Sequence, residues 1–304
     1  MKNLRVVAIY ALICLSAACV AQQVDIVHVP LNRVQPNSVF QVIVKINDGE
    51  TAKFLIDTGC NHILVSNQLI SRLKLPTKPA VSDDGTAITY NGKPANMTSV
   101  SKFQVGDSFF KQVPLVIVDA KTLRFDYGLQ FDGILGANFF AGQATLFDFT
   151  KGKMILFGPG SLTAQEIAGL GMVNFDCVPM FETDDGVPAV KVTLDSSREE
   201  TLIVDTGNVI TSIPRKAVEQ LHLKPVGDKR TQSTVFGSLT YSQTLLGKFQ
   251  IGNLQYPLLS VCYQDSNKMG PEPGIGLNIL ARSRFLLDYP AKKIYIERPA
   301  KPGK

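Results

Sequence analysis

Two stretches of this chain are near copies of each other: Phe54-Leu55-Ile56-Asp57-Thr58-Gly59 and Leu202-Ile203-Val204-Asp205-Thr206-Gly207. Each is a run of large apolar residues that ends in an acid, a hydroxyl and a glycine. The apolar run predicts a buried strand, and the glycine allows a tight turn directly after it. The copies lie 148 residues apart in a chain of 304. That offset is too long for a solenoid unit and right for a duplicated folding unit. A carboxylate behind three large apolar residues is poorly placed as a solvated surface charge. One such carboxylate per half predicts a pair that meets.

The duplication extends well beyond the motif. Val42-Ile43-Val44-Lys45-Ile46 followed by Asn47-Asp48-Gly49 matches Ala189-Val190-Lys191-Val192-Thr193-Leu194 followed by Asp195-Ser196. In each half this reads as a strand, a turn and a strand running into the acid. Ile63-Leu64-Val65 and Val209-Ile210 follow, and then two helix-like segments, Ser66 to Leu73 and Pro214 to Leu221. Lys102-Phe103-Gln104-Val105-Gly106-Asp107 is echoed by Lys248-Phe249-Gln250-Ile251-Gly252-Asn253. Leu146-Phe147-Asp148-Phe149 is echoed by Leu286-Leu287-Asp288-Tyr289, each ahead of a last strand, Met154 to Phe157 and Lys293 to Ile296. Between the halves, Gly158-Pro159-Gly160-Ser161 and a helix-prone piece from Leu162 to Leu170 form the natural linker. The expected organisation is a first unit over 22–160, a linker over 161–172 and a second unit over 173–304. Strand-like runs outnumber helical ones, so the fold class is mostly β.

The first residues carry Lys2 and Arg5, then an apolar run from Val6 to Ala18 and small residues up to Ala21. This is the layout of a secretory signal peptide over 1–21, too short to span a bilayer comfortably. The mature protein is therefore expected to be exported, periplasmic or secreted. Leu15-Ser16-Ala17-Ala18-Cys19 loosely resembles a bacterial lipobox, although Ser16 replaces the usual large aliphatic residue, so a lipid anchor at Cys19 is the competing expectation. The formal charge is +5, and losing Lys2 and Arg5 with the leader reduces it to +3. A small charge without basic clusters gives no case for nucleic acid. Cys60, Cys177 and Cys262 remain. The last two either form one disulfide in an oxidising compartment or stand as two separate buried thiols. No paired-cysteine or His/Cys cluster has zinc-ligand spacing.

Asp57 and Asp205 are the candidate catalytic residues. Two close carboxylates cannot both ionise freely, so they share a proton and act as an acid/base couple. Gly59 and Gly207 allow close backbone approach, and Thr58 and Thr206 are placed to hydrogen-bond across a pseudo-twofold axis. One Asp-Thr-Gly alone is weak evidence, since a strand-end Asp often caps a turn. Two copies in a duplicated frame are far more specific.

On these residues the chain resembles the bilobal retropepsin-like or pepsin-like aspartic peptidases, nearer the bacterial retropepsin-like group. The resemblance covers nearly all of the mature chain. It implies two homologous β-barrel-like lobes with a cleft between them, each lobe giving one Asp. It also implies hydrolysis of a peptide or protein substrate by a water activated between Asp57 and Asp205, with no metal or organic cofactor. Ile134-Leu135-Gly136 resembles the family's bracing segment beside the Asp loop. Gly274-Ile275-Gly276 matches it imperfectly, because Gly274 replaces an apolar residue. The position after Asp-Thr-Gly departs from the usual Ser, Thr or Ala: Cys60 and Asn208 stand there. Substrate-covering flaps are expected at Tyr90-Asn91-Gly92-Lys93, a strong hairpin-turn signal, and at Phe236-Gly237-Ser238. Tyr90 either presses on a bound peptide or packs on its own hairpin. His28, His62 and His222 are scattered; His62 raises the question of a Cys60–His62 nucleophile. The expectation is a monomeric aspartic endopeptidase. The alternative is a catalytically idle peptide- or glycan-binding protein on the same scaffold.

Overall fold

The computed structural model describes residues 26–34, 39–47, 49–82, 85–90, 93–125, 129–172, 174–234, 237–264 and 272–298. The leader over 1–21, Cys19, Gly92 and Phe236 lie outside these residues. Among the described residues no helix is long and apolar enough to cross a membrane.

The chain is mostly β. In the first half, Phe40–Ile46 pairs with Glu50–Ile56, which pairs in parallel with Gly133–Leu135. That strand pairs with Leu64–Ser66, Leu64–Ser66 with Ser108–Val118, and Ser108–Val118 with Asn96–Val105. Asn96–Val105 returns to Phe40–Ile46 through Val44↔Val105, so the six strands close into a barrel. Closure follows from the sequence pattern. Phe40, Val42, Val44 and Ile46 alternate inward along one strand, and their common face must be covered from all sides. Phe54, Phe103, Phe110, Phe139 and Phe140 are fully buried and pack on one another, Phe54 and Phe103 edge to face at 5.5 Å.

The second half repeats the ring. Pro188–Leu194 pairs with Arg198–Val204 on one side and with Gly237–Ile251 on the other, and the latter pairs with Leu254–Gln264. Arg198–Val204 pairs in parallel with Gly274–Ile275. The circuit is completed by one bridge, Ser212↔Cys262, and by the Ser212 N–H donating to the Gly274 carbonyl at 2.8 Å. The matching bond in the first half runs from Ser66 N–H to Asp132 O, also 2.8 Å. The turn between the two leading strands of the second half uses Asp195 and Ser196 at φ 45° and 60°, which suits a tight hairpin.

An antiparallel sheet joins the halves. It runs Ile26–Pro30, Lys153–Pro159, Gln143–Asp148, Phe285–Asp288, Lys293–Glu297 and Phe175–Glu182. The seam is Gln143–Asp148 against Phe285–Asp288, with Phe147 stacked on Phe285 at 4.7 Å. The echoed acids Asp148 and Asp288 are buried at the ends of these strands. Asp148 accepts from the Lys151 N–H, and Asp288 from the Ala291 N–H, so each closes its turn. Asp288 also accepts from the Leu162 N–H and ties down the connecting segment. That segment holds the helix Ala164–Gly169, started by a reciprocal Thr163–Glu166 cap.

The expected helices are Asn67–Leu73, capped by Ser66, and Arg215–Gln220, preceded by Pro214. The disulfide expectation is corrected: Cys60, Cys177 and Cys262 are all free. Cys177 is exposed on the joining sheet opposite Tyr295, whereas Cys262 is buried beside Ser212 in the second ring, so the two belong to different layers. Cys177 is therefore not a buried thiol either.

Candidate active site

Both Asp-Thr-Gly turns leave the C-terminal ends of barrel strands and meet at the centre of the molecule. The Asp57 N–H donates to the Leu135 carbonyl at 3.1 Å and the Asp205 N–H to the Ile275 carbonyl at 3.0 Å, so each acid starts where its strand is still held by the parallel neighbour. The buried hydroxyls then interlock. Thr58 Oγ1 donates to the Val204 carbonyl at 2.5 Å and accepts from the Thr206 N–H at 3.1 Å. Thr206 Oγ1 donates to the Ile56 carbonyl at 3.1 Å and accepts from the Thr58 N–H at 3.0 Å. Each threonine thus satisfies one donor and one acceptor of the opposite strand end, and Thr58 and Thr206 are both almost fully buried.

The glycines have an equally specific role. A Cβ on Gly59 would sit 2.7 Å from Cγ of Asp205, and a Cβ on Gly207 would sit 2.6 Å from both carboxyl oxygens of Asp57. Each turn is thus pressed against the carboxyl group of the other, and only a bare backbone fits. Asp57 Oδ1 accepts from the N–H groups of Gly59 and Cys60 at 3.0 and 3.1 Å, and Asp205 Oδ1 from that of Gly207 at 2.9 Å. The two carboxyls lie within hydrogen-bonding reach of each other. Burial pushes Asp57 above the usual carboxylate range, offset in part by the bonds from Asp205, Gly59 and Cys60. Burial also raises Asp205, well above that range, and the neighbouring charge of Asp57 raises it further. The pair therefore holds a proton to higher pH than isolated carboxyls do.

Both bracing segments sit where the sequence places them. The Ala137 N–H donates to the Cys60 carbonyl at 2.6 Å, and the Leu277 N–H to the Asn208 carbonyl at 2.8 Å. Gly276 has the Asn208 carbonyl 2.8 Å from its would-be Cβ, as Gly136 has that of Cys60 at 2.6 Å. The second brace is complete despite Gly274, because its work is done by backbone groups. Gly274 itself backs onto Ile203 and Asp205, where a Cβ would lie 2.8 Å from Ile203 Cγ1.

Above the pair opens a cavity of about 520 Å³. From the first half Asp57, Gly59, Cys60, Asn61, His62 and Tyr90 line it; from the second half Asp185, Asp205, Gly207, Asn208, Tyr241 and Cys262 do. Asp57, Asp185, Asp205 and Glu272 are acidic, and among the described residues no Lys or Arg side chain lines the cavity. Among the described residues no group of three or more His, Cys, Asp or Glu side chains is arranged to hold a metal ion.

Tyr90 lies on the short hairpin Thr89–Tyr90/Lys93–Pro94, and its hydroxyl donates to Asn61 Oδ1 at 3.2 Å and sits 3.3 Å from His62 Nδ1. Gly237 opens the strand that pairs with Arg230–Thr234, forming the matching hairpin of the second half. Cys60 Sγ donates to the main-chain carbonyl of His62 at 3.3 Å, not to Asp57. Its thiol is pushed well above its usual range by burial and by the charge of Asp57, and burial lowers His62. A protonated thiol turned away from the imidazole is no nucleophile. His28 and His222 are exposed.

The sequence did not single out Asn61, Asp185 or Tyr241. Tyr241 carries the one usable signal: it falls 151 residues after Tyr90, close to the offset of the repeat. Asp185 stands at the tip of the hairpin between Phe175–Glu182 and Pro188–Leu194, and its charge reaches His62 and Tyr90 across the cavity.

Residues 42–139 match the model of a family described as aspartyl protease, which supports the retropepsin-like aspartic peptidase family. The matched segment carries Asp57, the turn after it and the first brace. No curated protein matches the chain.

Proposed function

We propose, from a chain whose residues 42–139 belong with the aspartyl proteases, that the protein is an aspartic endopeptidase working through Asp57 and Asp205. The observation that carries this reading is the reciprocal seating of the two turns. Gly59 lies against the carboxyl of Asp205 and Gly207 against that of Asp57, which sets the two acids within reach of each other. Such a pair shares one proton. The ionised partner takes a proton from a water as that water attacks the scissile carbonyl. The protonated partner donates to the developing oxyanion, and the amine nitrogen then takes up a proton as the C–N bond breaks. The threonine lattice fixes the geometry before substrate arrives, so little reorganisation remains for the chemical step.

The acids receive backbone donors on Oδ1, and the thiol of Cys60 donates elsewhere. With burial raising both groups, the singly protonated form extends upward in pH. The activity maximum then lies in the weakly acidic to neutral range rather than at strongly acidic pH. We assign the units to 22–160 and 173–304, exported after removal of 1–21 and acting as a monomer; mass spectrometry of the mature N-terminus distinguishes a free end from an acylated Cys19.

The test is cleavage of a diverse peptide library between pH 3 and 8. Turnover that is blocked by a pepstatin-type inhibitor and lost in both Asp57→Asn and Asp205→Asn supports the proposal. No turnover at any pH, with peptide binding retained, would make the protein a binding module on this scaffold.

A further inference from the structure

The polar groups around the cavity are mostly committed. Tyr90 donates to Asn61, Cys60 Sγ to the carbonyl of His62, and Ser82 Oγ to the carbonyl of Thr86. Thr183 Oγ1 accepts from the Val187 N–H, and Asn208 Oδ1 from the Ile210 N–H. Tyr241 is different. It lies on Gly237–Ile251, in register with Arg230 on one side and Gln264 on the other, so its main chain is fixed by both neighbours. Its ring is half-buried at the cavity wall, within electrostatic reach of Cys262 and Asp205. Its hydroxyl has no hydrogen-bond partner among the described residues.

Resting on the peptidase reading, we infer that the Tyr241 hydroxyl is a substrate-anchoring donor, bonding a main-chain carbonyl of a bound peptide on the Asp205 side of the cavity. Burial, with Cys262 and Asp205 adding, pushes the phenol up to about 12, so it stays a donor at every working pH. A half-buried hydroxyl gives up part of its hydration to the surrounding protein, and a ligand acceptor recovers that loss. The two halves therefore differ in use although their turns are near copies. The phenol of the first half locks its own hairpin to the loop after Asp57. The phenol of the second half is left for the ligand. An extended peptide offers carbonyl oxygens along both edges, which is the acceptor chemistry that such a donor needs.

Tyr241→Phe isolates the claim, because it keeps the ring and removes only the hydroxyl. A net hydrogen bond of about 0.5–1.5 kcal/mol corresponds to roughly two- to twelvefold in affinity. The expected result is a KM raised by that factor, with kcat and Tm unchanged, since uniform binding is what is lost. Tyr256→Phe is the control: its hydroxyl is buried and has no hydrogen-bond partner among the described residues, but it does not line the cavity, so KM should not move. Calorimetric binding of a pepstatin-type peptide to wild type and to Tyr241→Phe separates the two proposals. Weaker binding by the variant supports Tyr241 even if no peptide is cleaved and the peptidase reading fails. Equal binding and equal KM overturn the role of Tyr241 and leave the peptidase reading intact. Wild-type protein that neither cleaves nor binds overturns both.

Discussion

Replacing Thr58 by Val tests whether the crossed threonines hold the two halves together at the site. Valine matches threonine in shape, so the packing of this buried position is kept. Only the hydroxyl is lost, and with it the bonds to the Val204 carbonyl and from the Thr206 N–H. Both orphaned groups are buried, because Val204 and Thr206 are almost fully shielded. A buried polar group left unpaired costs about 1–3 kcal/mol, so the variant should lose about 2–6 kcal/mol. For a chain of this size that lowers Tm by about 3–10 °C in a calorimetric or circular-dichroism melt. Thr206→Val removes the mirror-image pair, with the Ile56 carbonyl and the Thr58 N–H orphaned, and should cost a similar amount. The double variant should lose less than the sum. Once one pair is gone the turns part and water reaches the groups of the other, a coupling of the size seen for residues in contact. kcat should fall by tenfold or more in each single variant, since the carboxyls lose their seating. A Tm change under about 1 °C for Thr58→Val, or strict additivity in the double variant, would refute the lattice as a structural device.

Four further outcomes follow from the same geometry. Gly207→Ala places a methyl 2.6 Å from both carboxyl oxygens of Asp57 and forces that carboxyl aside, so kcat should drop about a hundredfold; unchanged kcat would mean that the turn does not seat the acid. Asp205→Asn should melt higher than wild type at pH 7. The folded state holds this proton above the range of the unfolded chain, so wild-type stability falls as pH rises from about 4 through the folded pKa, and the amide has no proton to lose; the gain should vanish near pH 3. Cys60→Ser should shift the basic limb of the pH–rate profile to lower pH if the new hydroxyl turns to Asp57, and leave it in place if it keeps the bond to the His62 carbonyl. Peptides bearing Lys or Arg should show a KM that rises with ionic strength, because Asp185 and Glu272 face the cavity and no cation lines it among the described residues.

Much of the architecture was legible in the sequence. The run Val42 to Ile46 and its turn read as a strand leading into the acid, as the structure has them, and the echo of Lys102 to Asp107 in Lys248 to Asn253 marks equivalent positions that the structure places in a long hairpin of each half. The doubled Asp-Thr-Gly placed one acid per half at a strand end. A repeat of that length implies two like units, and the expectation that their acids meet is one the tertiary packing of the two turns decided. The division of labour between groups at the site was not legible. Whether Gly274 spoils the second brace depends on backbone hydrogen bonds, which carry no side-chain signature. Cys177 and Cys262 are equally plausible partners in sequence, and only their placement in the joining sheet and the second ring separates them. Gly59 and Gly207 read as turn glycines, yet the atoms that forbid a side chain at each belong to the acid of the other half. Tyr90 and Tyr241 are both tyrosines on cavity-lining hairpins, and tertiary contacts alone commit the first to Asn61 and leave the hydroxyl of the second without a partner among the described residues. Local pattern fixes which face of a strand is buried; what that face meets is set by chain segments more than a hundred residues away.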